Sequence, residues 1–298
     1  MTNLNKKIVN SRAYSLINKY VKEPYRLNNQ GCKIVVNANR NLQSDYFEHL
    51  IFPVSNFWKG YFRKKLKILK PKENNYFLDV GCGTGSLCLN VMSDLKFKKC
   101  MAIDNSDYAI NILKNRKKNK NIVAKKIEIN STKIKSNTFD AVYGNSFLHH
   151  LPDNITFLKT VKKILKPGGV MIFTGEPSIS AEILETMITQ NILKIFYFFR
   201  IKKKVNRNLN YFLTDIWLYD HKIIKQILLD IGFKDVKIKS FGFFSAIFNS
   251  TSSIFFKLLT GKSFQPDWYW WLIEKIDEIF FFIPMNLRSH FIIAARKI

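Results

Sequence analysis

The chain has 298 residues, 47% of them apolar, enough to bury a sizeable core in one α/β domain with elaborations. Its formal charge of +26 raises a nucleic acid or an anionic membrane as partner, but Lys, Asn, Ile and Phe are plentiful together, as an AT-rich genome produces, and that bias accounts for most of the charge. Cys32, Cys82, Cys88 and Cys100 lack framework spacing, which excludes a disulfide scaffold.

The stretch from Met1 to Glu23 has no continuous apolar run of the secretory kind, and no window reaches 18 uninterrupted apolar residues. A cytoplasmic protein is expected. Residues 44–70 are expected to be helical, because Phe47, Leu50, Ile51, Val54, Phe57, Trp58, Tyr61 and Phe62 recur at near three-and-four spacing. Leu69-Lys70-Pro71 breaks the pattern and closes an N-terminal helical region, 1–70, ahead of a main domain, 71–298.

Short apolar runs then alternate with amphipathic stretches. Strands are expected at 75–80, 99–104, 121–129, 139–144 and 170–174. Helices are expected at 85–95, from Asp107 with Ser106 as N-cap, and over 153–165. This alternation predicts a parallel sheet with helices on both faces. A helix over 221–231 closes at Gly232 in a left-handed cap, and strands follow at 234–240 and 290–296. Residues 178–218 and 241–286 read as helical cap segments. The second is rich in aromatics (Phe243, Phe244, Phe255, Phe256, Trp268, Trp270, Trp271 and residues 280–282) and too apolar to stand in solvent alone. It is expected to cover a greasy substrate, or to rest on an anionic membrane surface beside Lys257, Lys262 and Lys275.

The informative segment is Phe77-Leu78-Asp79-Val80-Gly81-Cys82-Gly83-Thr84-Gly85, a GxGxG turn between a buried strand and a helix. Glycines let the backbone turn tightly and a ligand approach it, and the helix N-terminus offers unpaired N–H groups. Asp104 ends the next strand, where a carboxylate can hold a ribose diol. A nicotinamide cofactor fits those features too, but Ser86 stands where the dinucleotide fingerprint places its third glycine. His49, His221 and His290 form no recognisable metal set, so no metal is expected.

LDVGCGTG (residues 78–85), AIDNS (102–106), FDAVYGNSFLHHL (139–151) and LKPGG (165–169) stand in the order and spacing of class I S-adenosylmethionine-dependent methyltransferases. The chain resembles that family over roughly 75–177, and 221–240 with the final strand extend the likeness. It is most similar to a small-molecule branch with an LHHL loop after the fourth strand and an EP pair, here Glu176-Pro177, after the fifth. The resemblance implies a Rossmann-like, seven-stranded, mostly parallel sheet with an antiparallel last strand, and S-adenosyl-L-methionine as cofactor. Asp79, Gly81, Gly83 and Gly85 then hold its amino-acid end, with Cys82 packing in the same loop and taking no nucleophilic role. Asp104 takes the ribose hydroxyls. Asn130 stands where the family has an acidic residue for the adenine amine; it can still accept a hydrogen bond, and Glu128 lies two residues earlier. Ile103, Asn105 and Ile129 line the adenine pocket, and Asn145 borders the cofactor at the end of the fourth strand.

Methyl transfer is an in-line displacement that needs alignment and exclusion of water, and a base only if the nucleophile arrives protonated. His149 and His150 are the candidates. Adjacent histidines are expected to point in different directions, so at most one faces the substrate. Glu176 is either a third catalytic candidate or the cap of a segment starting near Ser178. The expected reaction is methyl transfer to a small acceptor of hydrophobic or lipid-linked type. A nucleic-acid methyltransferase is the rival prompted by charge, against which Asn145-Ser146-Phe147-Leu148 offers no Pro-Pro-aromatic platform for a flipped base. A methyltransferase-fold protein that binds cofactor without catalysis is the other.

Overall fold

Alternating side chains on the strands divide the core between two faces of one sheet. The computed structural model describes residues 56–92, 94–127, 134–151, 154–178, 219–248 and 269–298, with a few isolated positions besides. Helix α1 (Asn56–Leu66) leads into β1 (Tyr76–Val80), α2 (Ser86–Val91), β2 (Lys99–Asp104), α3 (Asp107–Arg116) and β3 (Ile122–Lys126). Next come β4 (Phe139–Asn145), a 3-10 turn (Leu148–His150), α4 (Asn154–Ile164) and β5 (Leu165–Pro177). After 178–218 the chain resumes as α5 (His221–Asp230) and β6 (Lys234–Phe241), then α6 (Tyr269–Ile279) and β7 (His290–Arg296).

The seven strands form one sheet in the order β3-β2-β1-β4-β5-β7-β6. The pairs from β3 through β5 are parallel, while β7 runs antiparallel to both β5 and β6. The expected topology is therefore observed. Strand order reverses between β1 and β4, the switch point at which open α/β sheets bind ligands. On one face Leu78, Val80, Val142, Met171, Phe173 and Ile293 pack with α4 and α5 through Phe157, Val161, Ile224 and Leu228. On the other, Phe77, Ala102, Tyr143 and Ile172 meet Phe62 and Leu66 of α1, Leu87 of α2, and Ile110 and Leu113 of α3. Both faces are covered, which is why β4 and β5 read as near-continuous apolar runs.

Local signals mark several element ends. Ser106 Oγ accepts from Ala109 N–H at 3.2 Å and caps α3. Asp220 caps α5 by accepting from Lys222 and Ile223 N–H, and Gly232 closes it with φ of +88°. Other boundaries differ from expectation. Strand β5 runs through LKPGG to Pro177, well beyond 170–174, because Gly168 N–H bonds Lys297 O and the segment stays paired with its neighbours. Strand β3 stops at Lys126, and α2 starts only after Gly85, whose φ of +94° is not helical. Of the expected helix over 44–70 the described part is α1, which is helical only to Leu66, and residues 67–70 form a turn; residues 1–53, most of 178–218, and Phe255, Phe256, Lys257, Lys262 and Trp268 lie outside the described residues. Among the described residues, no helix is long and apolar enough to cross a membrane.

Candidate active site

Three segments emerge together from the carboxyl edge of the sheet: the glycine loop after β1, the end of β2, and the loop after β4. Val80 pairs with Ile103, which brings Gly81 level with Asp104. The loop is held from both sides. Cys82 N–H donates to Ile103 O at 3.0 Å, and Gly83 N–H donates to Asp104 Oδ2 at 2.9 Å. The other oxygen of Asp104 accepts from Ser106 N–H at 2.9 Å. Asp104 thus braces the glycine loop against the start of α3 while lying only half-buried, so a ligand can still reach it.

The glycines have distinct reasons to be glycine. Gly81 has φ of +60°, and a Cβ there would stand 2.0 Å from the ring of Phe147. Gly83 has φ of +50°, yet a Cβ there meets nothing within 4 Å. Its bare backbone therefore faces open space, the shape a ligand-binding turn requires and an ordinary packed turn does not. Below the loop, buried Asp79 accepts from Cys88 N–H at 3.0 Å and ties β1 to α2. Burial pushes its carboxyl up to about 7; the hydrogen bonds from Cys88 oppose that rise and the charge of Asp104 adds to it. Asp79 supports the loop from beneath. Burial likewise pushes the Cys82 thiol well above its usual range, as fits a packing side chain and not a nucleophile.

Two supports were not visible in the motifs. Arg116, at the end of α3, donates from Nη1 to Thr84 O at 2.8 Å and to Thr84 Oγ1 at 3.3 Å, clamping the loop from outside. Phe147 fills the space that Gly81 leaves, and packs edge-on against Phe157 of α4.

At the end of β4, Asn145 pairs with Thr174 and its Oδ1 accepts from Thr174 Oγ1 at 2.7 Å. The turn that follows converges on Glu176, which is 0% exposed. One of its oxygens accepts from Phe147 N–H (3.2 Å) and Leu148 N–H (3.1 Å), the other from His149 N–H (3.0 Å), with His149 Nδ1 at 2.8 Å. The carboxylate is an acceptor throughout, so His149 Nδ1 is the donor and Nε2 the proton-accepting nitrogen. Glu176 therefore caps the Leu148–His150 turn, and not the segment near Ser178, whose N–H bonds Ser289 O. The two histidines do not diverge as expected. The tight 3-10 turn sets their rings 3.9 Å apart, with His149 buried and His150 partly open.

Of the residues expected around an adenine, Asn105 is exposed beside Asp104, whereas Ile103 is packed into the core and does not line an open pocket. Glu128, Ile129 and Asn130 lie outside the described residues. Among the described residues no cluster of His, Cys, Asp or Glu is arranged to hold a metal.

Several known proteins are similar to this chain. A family described as a methyltransferase domain matches residues 78–173. A sterol 24-C-methyltransferase of Schizosaccharomyces pombe is 29% identical over 161 residues, 47% of this chain and 41% of that protein. A demethylmenaquinone methyltransferase of Staphylococcus saprophyticus is 23% identical over 194 residues, 61% of this chain and 80% of the relative. The chain spans 41% and 39% of the length of the two sterol methyltransferases it matches first. In fold it is similar to Haemonchus contortus phosphoethanolamine N-methyltransferase 2, solved in complex with S-adenosyl-L-methionine, with TM-score 0.54 at 15% identity over 100% of this chain and 60% of the other. Residues 78–173 thus resemble a methyltransferase domain, and the chain shares the overall fold of that solved enzyme.

Proposed function

We propose that this chain, with such a domain at its centre, is an S-adenosylmethionine-dependent methyltransferase whose acceptor is a small hydrophobic or lipid-linked molecule. The carrying observation is the Gly83 backbone, which faces open space while Asp104, Arg116 and Phe147 hold the loop around it. The backbone of Gly81, Cys82, Gly83 and Gly85 holds the amino-acid end of the cofactor, with Asp79 fixing that backbone from below. Asp104 accepts from the ribose hydroxyls, Asn105 borders the adenine, Asn130 accepts from its amine, and Asn145 flanks the cofactor at the end of β4. When bound, the cofactor supplies a methyl group on a positively charged sulfur. The chain's part is to align the acceptor, exclude water and receive a proton where the acceptor carries one. Glu176 orients His149 so that Nε2 can take that proton, while His150, with its ring tilted against it, is the more open contact for an acceptor. The acceptor class is supported by two relatives whose names specify a sterol and a demethylmenaquinone, both apolar molecules.

Thermal unfolding with S-adenosyl-L-methionine tests the cofactor half. At a hundred-fold excess over the dissociation constant, binding should add about 2.7 kcal/mol of stability. Release of S-adenosylhomocysteine on adding a lipid extract, and none with RNA, tests the acceptor half. Cofactor binding without turnover on any acceptor would instead favour the non-catalytic binder.

A further inference from the structure

The turn joining α6 to β7 carries an apolar face in solvent. Ile279 is 67% exposed, Phe281 80% and Phe282 68%, with Phe280 and Met285 beside them. Exposed apolar residues are ordinarily scattered; contiguous ones mark an interaction surface.

This turn is built, not frayed. Asp277, buried near the end of α6, accepts from the N–H groups of Phe243, Phe244 and Ser245 and from Ser245 Oγ, which fixes the helix to the segment after β6. Arg288 donates to Phe280 O at 2.9 Å and Ile283 O at 3.3 Å and closes the turn. Ser178 Oγ donates to Asn286 O at 2.9 Å and anchors it to the end of β5. The phenyl rings are thus held outward by satisfied polar contacts.

The location matters as much. Because β7 is antiparallel, its first residue, His290, pairs with Pro177 at the carboxyl end of β5. The apolar turn therefore leaves the sheet at the same edge as the glycine loop and the Leu148–His150 turn, and β7 is three strand spacings, roughly 14 Å, from β1. Cations lie next to it. Lys64 and Lys275 both pair with Glu278, the residue before the turn, two lysines to one carboxylate.

We propose that the turn over 279–285 is an interfacial anchor that seats this edge of the sheet on an anionic lipid bilayer. Phe281 and Phe282 enter the boundary between headgroups and acyl chains, and the neighbouring lysines face the headgroups. Projecting aromatic rings rimmed by cations are complementary to that interface. A second copy of the chain is disfavoured, since docking would bring two net charges of +26 together. The inference concerns where the chain works and does not depend on which acceptor it methylates.

Flotation of the full chain with vesicles of phosphatidylcholine, with and without phosphatidylglycerol, provides the test. The chain is expected to float with phosphatidylglycerol-containing vesicles, less so at high salt. The double variant Phe281→Ser/Phe282→Ser should lose partitioning by about ten-fold per ring, while its unfolding midpoint and S-adenosyl-L-methionine affinity stay unchanged. Absence of vesicle binding, or equal partitioning by variant and parent, overturns the anchor. So does a dimer in sedimentation that the variant abolishes while vesicle binding persists. A large loss of stability in the variant overturns it as well, because the rings would then be covered by the chain itself.

Discussion

Replacing Glu176 with Gln changes one atom and tests the arrangement after β4. The carboxylate accepts from three consecutive backbone N–H groups and from His149 Nδ1, inside a site with no solvent exposure. An amide has one oxygen, so two of these four donors keep an acceptor and the other two face an NH2 group. Each buried donor left without an acceptor costs ~1–3 kcal/mol, giving a total near 4 kcal/mol. For a chain of this size that corresponds to a fall of the unfolding midpoint by about 10 °C. Calorimetry or denaturant unfolding of Glu176→Gln against the parent measures it. Where a chemical turnover is available, the variant should also turn over more slowly, because a carboxylate no longer fixes the His149 ring with Nδ1–H as the donor. A loss below about 1 kcal/mol would mean that the convergence on Glu176 is not what holds the Leu148–His150 turn.

Other consequences follow from the loop supports. Arg116→Ala removes both bonds to Thr84 and should weaken S-adenosyl-L-methionine binding about ten-fold by isothermal titration, with little change in stability; unaltered affinity would show the clamp to be idle. Asp79 has its carboxyl raised from 3.8 to about 7 in the folded chain. The folded state then holds a proton that the unfolded state releases, so this contribution to stability is complete below the unfolded value and is lost as pH rises through about 7. Asp79→Asn, which keeps an acceptor for Cys88 N–H, should flatten the fall of unfolding free energy between those limits; an unchanged slope contradicts the assignment. Asp277→Ala, stripping the cap shared by residues 243–245, should cost about 1–2 kcal/mol in denaturant unfolding, and a neutral effect would mean that the turn before β7 is held by other contacts.

The sheet was legible because its strands are bounded by strong local signals. Gly81 follows β1, Ser106 caps α3, and Gly232 ends α5, each a short-range requirement written into residue type. Strand β5 was underestimated because its ends are set by pairing with β4 and β7, partners distant in sequence. The site divides in the same way. Gly83 and Asp104 announce themselves by spacing, but Arg116 reaches Thr84 across 32 residues and Glu176 reaches His149 across 27, which no local pattern records. The close approach of the two histidine rings follows from the 3-10 turn, which that same distant carboxylate caps. The aromatic content of 241–286 was visible in the sequence; which rings stand in solvent was decided by Asp277 and Arg288.

Binding of S-adenosyl-L-methionine to Gly83→Ala is the most direct measurement. The new methyl group meets no protein atom within 4 Å, so stability should fall only by the ~1 kcal/mol of a left-handed backbone. The same methyl would occupy the space assigned to the cofactor, where overpacking costs ~1–3 kcal/mol, a loss of roughly ten- to a hundred-fold in affinity. A stable variant with that loss is the predicted result. A stable variant that binds S-adenosyl-L-methionine as tightly as the parent would contradict the placement of the cofactor at this turn.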